Sequence, residues 1–136
     1  MDSLRIDTGV KTLMINDDPA NTISFNPSDV VFAEKFYGLI RDLEKKQADF
    51  QARAAELEAA GVDADGVPVN MAGNLALTRE ICEYMRGQID SIFGAGASQR
   101  LFGDALSLDA FEQFFSGISP FIQAARSEKT AKYLNP

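Results

Sequence analysis

Hydrophobic and polar positions change period once along the chain, and the change predicts a change from strands to helices. Over residues 3 to 25 the pattern favours strands: Leu4 and Ile6 alternate with Arg5 and Asp7, Thr8-Gly9 offers a tight turn, and Val10 to Ile15 is β-branched and apolar. Asp17-Asp18-Pro19-Ala20-Asn21 is a second turn signal, followed by Thr22-Ile23-Ser24-Phe25. The expectation is a short antiparallel β meander. Two or three short strands are marginal alone, so they must pack on helices or pair with strands of another subunit.

From Asn26 the period becomes helical. Asn26-Pro27-Ser28-Asp29 supplies a cap, a proline suited to a first turn and an acid near the positive end of the helix dipole. A long helix is predicted from there to about Ala60. Phe36, Leu43, Phe50 and Leu57 recur every seven residues, with Leu39, Ile40 and Ala54 widening the stripe, while Arg41, Asp42, Glu44, Lys45, Asp49, Arg53 and Glu58 take the other faces. Lys46-Gln47 interrupts the middle of the stripe and argues against a long zipper. Gly61 closes the helix and Val62 to Val69 reads as a polar turn. Asn70 can then cap a second amphipathic helix, with Leu77, Ile81, Cys82, Met85, Ile89, Ile92 and Phe93 on its apolar face. The short loop makes the two antiparallel.

That helix ends on a motif with no reactive group in it. Phe93-Gly94-Ala95-Gly96 is followed by Phe102-Gly103, and each Phe can anchor a turn in a core while Gly94, Gly96 and Gly103 take backbone conformations costly for other residues. Ser107 then caps Leu108 to Ser116, Gly117 is the expected stop, and Ser119-Pro120 restarts a last helix to roughly Tyr133. Phe111, Phe114, Phe115, Ile118, Phe121 and Ile122 make this region unusually aromatic. Phe114-Phe115 widens its stripe beyond what one neighbouring helix covers; either these residues complete the core, or some of them form an exposed apolar patch, and Phe111, Phe114, Phe115, Phe121 and Ile122 are then the candidate partner-binding residues. The tail Ser127 to Pro136, with Lys129, Lys132 and Tyr133, is a second candidate contact. The fold class expected is α+β, mainly α, in a single domain over 1–136: meander 1–25, helical body 26–126 and flexible tail 127–136.

Composition narrows the chemistry. With 136 residues the chain has enough length for one core, and with no histidine it lacks the usual general base and the commonest neutral metal ligand. Cys82 is the single cysteine, which excludes an intramolecular disulfide and a multi-cysteine zinc site, and its place on an apolar face predicts a buried thiol. Asp63-Ala64-Asp65-Gly66 fails as a calcium loop: aligning Gly66 with the loop glycine puts Gly61 at the first ligand position and Ala72 where a bidentate glutamate belongs. Gly94-Ala95-Gly96 fails as a dinucleotide loop, because Gln99 occupies the third glycine position, and no Gly-Lys-Ser or Gly-Lys-Thr is present. No cofactor and no enzyme are expected. A net charge of −7 argues against nucleic acid. Without a signal-like N-terminus or a long apolar run, the cytoplasm is the expected location and no membrane contact is expected.

Ser24-Phe25-Asn26-Pro27-Ser28-Asp29 leading into a helix with Phe32, Phe36 and Tyr37, then Ile89-Asp90-Ser91-Ile92-Phe93-Gly94-Ala95-Gly96 and Leu101-Phe102-Gly103, resembles the tail assembly chaperones of long-tailed (siphovirus-type) phages and Gram-positive prophages. The likeness covers about residues 5 to 125. It implies a protein of the bacterial host cytoplasm that holds the tape-measure protein soluble and helps recruit tail-tube protein around it by protein–protein contacts. Two other classes fit the residues: a structural phage tail or head-completion subunit whose strands add to a neighbour's sheet, and an acidic inhibitor or adaptor protein. A homo-oligomer is expected, since the strands leave an unpaired edge and two long amphipathic helices give more stripe than this chain needs to bury.

Overall fold

The computed structural model describes the backbone of residues 1–134 and side chains to Ser127. A two-stranded antiparallel sheet, β1 (Lys11–Ile15) and β2 (Asp18–Phe25), precedes four helices: α1 (Val30–Glu58), α2 (Met71–Phe93), α3 (Ala97–Phe102) and α4 (Leu108–Leu134). The fold class expected from the sequence is therefore the one observed. Residues 1–10 form no strand, however, and Leu4 and Ile6 stand exposed. Their alternation has no neighbouring strand to pair with.

The hairpin turn falls one residue earlier than the Asp-Pro cluster suggests. Asn16 and Asp17 both take positive φ, 54° and 60°, which a two-residue turn between right-twisted strands demands and which Asn and Asp tolerate best among non-glycine residues. Asp18-Pro19-Ala20-Asn21 is then part of β2, not a turn. Pro19 sits at an irregularity where the register jumps from Met14 opposite Thr22 to Ile15 opposite Asp18, a place where a missing N–H costs no ladder bond. Ile15, Ile23 and Phe25 face the core. On the other face Thr12 Oγ1 and Ser24 Oγ share a hydrogen bond of 2.8 Å.

Asp29, not Asn26, caps α1: its carboxylate accepts from Val31 N at 2.9 Å. Asn26 has a different task, accepting from Ser28 N and donating Nδ2 to Thr8 O at 2.7 Å, which ties the N-terminal segment to the helix start. Asn70 likewise makes no cap bond and donates Nδ2 to Leu57 O, fastening the start of α2 to the end of α1.

The core gathers where the sheet, the first turns of α1, the last turns of α2 and α4 meet. Phe93 is its centre, with ring centroids 5.8 Å from Phe25, 5.3 Å from Phe32, 6.4 Å from Phe36 and 5.3 Å from Phe114, all edge to face. Directly after it, Gly94 takes φ 108° and Gly96 φ 81°, and the chain re-enters α3. The Asp90 carboxylate locks this reversal by accepting from Ser98 N at 2.8 Å and Ser98 Oγ at 3.1 Å, which satisfies a buried serine.

α4 corrects the expected helical break. It runs unbroken through Gly117 and Pro120. In a helix interior a glycine costs about 1 kcal/mol and a proline about 3 kcal/mol, whereas each fully buried Ile or Phe returns about 1.5–3 kcal/mol, and Phe111, Ile118 and Ile122 are all buried on one stripe. The stripe wins. Ser119 Oγ also donates to Phe115 O at 2.6 Å beside the proline. The backbone of α4 continues past Ser127, where a flexible tail is expected, and the side chains of Lys129, Lys132 and Tyr133 lie outside the described residues. Among the described residues no helix is long and apolar enough to cross a membrane.

Phe93→Ala is expected to lower unfolding free energy by about 3–5 kcal/mol, while Phe121→Ala, at an exposed position, changes it by less than about 1 kcal/mol. Urea titration followed by circular dichroism measures both.

Candidate functional site

Four of the five aromatic and aliphatic residues expected to form a partner surface on α4 turn inward. Phe111 and Ile122 are buried core residues, at 3% and 0% exposure. Phe114 and Phe115 are half-buried against Phe93, Phe102 and Phe36. Phe121 alone is exposed, and Lys11 Nζ lies 5.2 Å from its ring centroid. Several neighbours cover the wide stripe, since β1, α1, α2 and α3 all meet this helix, and completing the core accounts for all of these residues but Phe121.

An apolar opening lies elsewhere, between the distal halves of α1 and α2. Arg53 reaches Glu80, Lys46 lies over the Tyr84 ring and Asn70 bonds Leu57, so the helices run antiparallel from their loop. Gly73 allows the close approach: a Cβ there would meet Leu57 Cδ2 at 2.7 Å. The loop itself is an ordinary turn, with the Asp63 carboxylate accepting from Asp65 N and Val67 N. On one side of this helix pair opens a cavity of about 730 Å³. Its apolar lining is Ile40, Leu43, Phe50 and Ala54 from α1 and Leu77 and Ile81 from α2, with Leu108 from the first turn of α4 closing one end. From Ile40 to Glu58 the α1 wall is about 27 Å long, at 1.5 Å per residue.

Its polar lining is one-sided in charge. Glu44 and Glu58 are the charged lining residues, beside neutral Gln47, Gln51, Asn74 and Thr78. Two neighbouring cations, Lys46 and Arg53, are engaged away from it. Lys46 Nζ lies 4.8 Å from the Tyr84 ring centroid, and Arg53 pairs with Glu80 at 2.5 Å and Asp49 at 3.7 Å on another face of the hairpin. The hydrogen bond from Arg53 holds the Glu80 carboxyl below its ordinary value, so the strap is present at neutral pH and is lost as pH falls through that lowered value.

The sequence pointed to the stripe that lines this opening and assigned it to helix packing. Half of that assignment holds. Phe36 and Leu39 are buried, while Leu43, Phe50, Ala54 and Leu57 are half-buried. Arg86 is a second residue that pattern reading passes over. It donates to Ala105 O and Gln99 Oε1, both at 3.0 Å, and so fixes the α3–α4 connection that places Leu108.

Phe93, Gly94, Gly96, Phe102 and Gly103 stand where the turn motif requires. Gly103 ends α3 at φ 59° and ψ −136°, and Phe102 packs on Phe111 with centroids 4.7 Å apart. Among the described residues no group of three or more His, Cys, Asp or Glu side chains could hold a metal ion.

A family model described as a family of unknown function, DUF6673, matches residues 20–136, and the chain belongs to that family. Neither a search of curated proteins nor one of solved structures finds a match.

Cys82 is 0% exposed, and burial pushes its thiol above the ordinary value. A neutral disulfide reagent is therefore expected to label it only as fast as the protein opens, with full labelling in denaturant. Labelling of the native protein at the rate of a free thiol would show Cys82 to be accessible and reactive.

Proposed function

We propose that this member of the DUF6673 family is a tail assembly chaperone of long-tailed phages and Gram-positive prophages, and that the α1/α2 groove holds an amphipathic helix of the tape-measure protein. The observation that carries the docking reading is the groove itself, a long apolar floor whose charged lining is two glutamates. A helix of about five turns fits its length, presenting apolar residues at i, i+3, i+4 and i+7 to the floor and lysine or arginine at its flanks to Glu44 and Glu58. The phage assignment is supported by the resemblance carried by Ser24–Asp29 and the Phe-Gly segment. In this reading the protein works by binding, without catalysis or cofactor, in the bacterial host cytoplasm. Net acidity keeps chaperone and cargo soluble and repels nucleic acid while the tail-tube protein is recruited.

Co-purification with a co-expressed tape-measure fragment tests this. Phe50 is half-buried in the groove, so Phe50→Asp removes apolar contact worth about 1.5–3 kcal/mol from the complex, roughly a 10- to 150-fold loss of affinity. The free protein should keep its helicity and melting temperature. Phe121→Asp, far from the groove, should bind like the parent. Parent-like binding by a natively folded Phe50→Asp variant overturns the groove reading, and failure of the parent to hold any tape-measure fragment overturns the chaperone reading.

A further inference from the structure

The sheet has one covered edge and one open edge. β2 packs on α3, where Asn21 Nδ2 donates to Arg100 O at 2.9 Å, but β1 has β2 as its one strand neighbour. Among the described residues no backbone hydrogen bond joins β1 to any other element. Sheet edges are ordinarily blunted by proline, bulges or outward charge. Here the proline and the distortion are on β2, at Pro19, and the one lysine of β1 is turned over the Phe121 ring. Val10 and Met14 flank the open edge at 59% and 57% exposure.

We propose that β1 pairs antiparallel with β1 of a second copy of this chain, about a two-fold axis at Leu13, giving a continuous four-stranded sheet. Charge selects this occupant and this direction. Antiparallel self-pairing sets Lys11 opposite the partner's Ile15 and diagonally beside the partner's Asp17, so each end of the interface joins a cation to the acid of the hairpin turn. A parallel, in-register pairing would instead set Lys11 against the partner's Lys11. Side chains agree with the antiparallel choice. Leu13 meets the partner's Leu13 on the core-facing side, next to a cavity of about 290 Å³ walled by Leu13, Ile15, Phe114 and Ile118. On the outer face Met14 lies across from the partner's Thr12, which covers an exposed thioether. Two strands of five and eight residues are marginal as a sheet, and four strands backed by helices are not. The proposal is independent of the groove and of its cargo.

Light scattering over a range of concentrations, with the full chain, should give twice the 14.8 kDa chain mass. The register is read by cross-linking, since Thr12 and Met14 are exposed and Cys82 is buried. The variant carrying Thr12→Cys and Met14→Cys should oxidise to a covalent dimer at least about tenfold faster than either single variant, because opposite Cα atoms fall within disulfide reach and diagonal ones do not. Lys11→Glu, with helicity unchanged, should raise the concentration at which half the protein is dimeric. A 14.8 kDa species throughout overturns the proposal, as does equal cross-linking of single and double variants, or a Lys11→Glu dimer as tight as the parent's.

Discussion

The structure depends on burying one ring, Phe93, at the point where the chain stops being helical. Four aromatic rings from β2, α1 and α4 meet its edges and faces within about 6.5 Å, and the residue that follows must reverse the chain at once. Only glycine takes φ 108° with ψ 156° cheaply, so the buried ring and the sharp exit come as a pair. A bulkier residue after Phe93 would force the exit to move or the ring to withdraw. Asp90, one turn earlier, holds the reversal from inside with two hydrogen bonds to Ser98. Phe93, Gly94, Asp90 and Ser98 therefore act as one corner, with geometry set by sterics and polarity set by the requirement that a buried hydroxyl and N–H be satisfied.

The corner explains why α4 ignores its own breakers. α3 is short because it only carries Phe102 and Leu101 across to α4, and Arg86 pins the connection that follows by bonding Ala105 O and Gln99. α4 then enters with Phe111 already against Phe102, and Phe114, Ile118 and Ile122 follow on the same side. Ending the helix at Gly117 would withdraw Ile118 and Ile122 from the core. Local propensity loses to packing whenever the apolar spacing continues unbroken through the breaker.

Helices with long stripes were legible in the sequence: the heptad from Phe36 to Leu57 and the face from Leu77 to Phe93 both became the helices expected. The glycines after Phe93 and Phe102 were legible too, because their meaning is steric and local. Caps were not, since Asn26, Asp29 and Asn70 have interchangeable chemistry and their partners, Thr8 and Leu57, are fixed by tertiary approach. Nor was the division of the α4 aromatics between core and surface. Counting aromatic residues on α4 identifies a wide stripe but not how many elements converge on it, and four converge. The groove escaped for the converse reason, as its residues form a regular stripe whose covering depends on where neighbouring helices end.

That last dependence has a geometric cause. α1 has 29 residues and α2 has 23, yet the core cluster takes in residues only from Phe32 to Leu43 of α1 and from Ile81 to Phe93 of α2. Beyond Leu43 the two helices pack mainly on each other, with Leu108 of α4 beside the groove they leave. Two antiparallel cylinders can share one contact line, and a stripe wider than that line must leave part of its apolar surface on a flank. Gly73 sharpens the effect by drawing the far ends together on Leu57, which commits that residue to the contact and leaves Leu43, Phe50 and Ala54 beside it. Opening the groove thus requires no strained or mobile element. It follows from making the helical hairpin longer than the core that anchors it, and the same anchoring keeps its two walls in register.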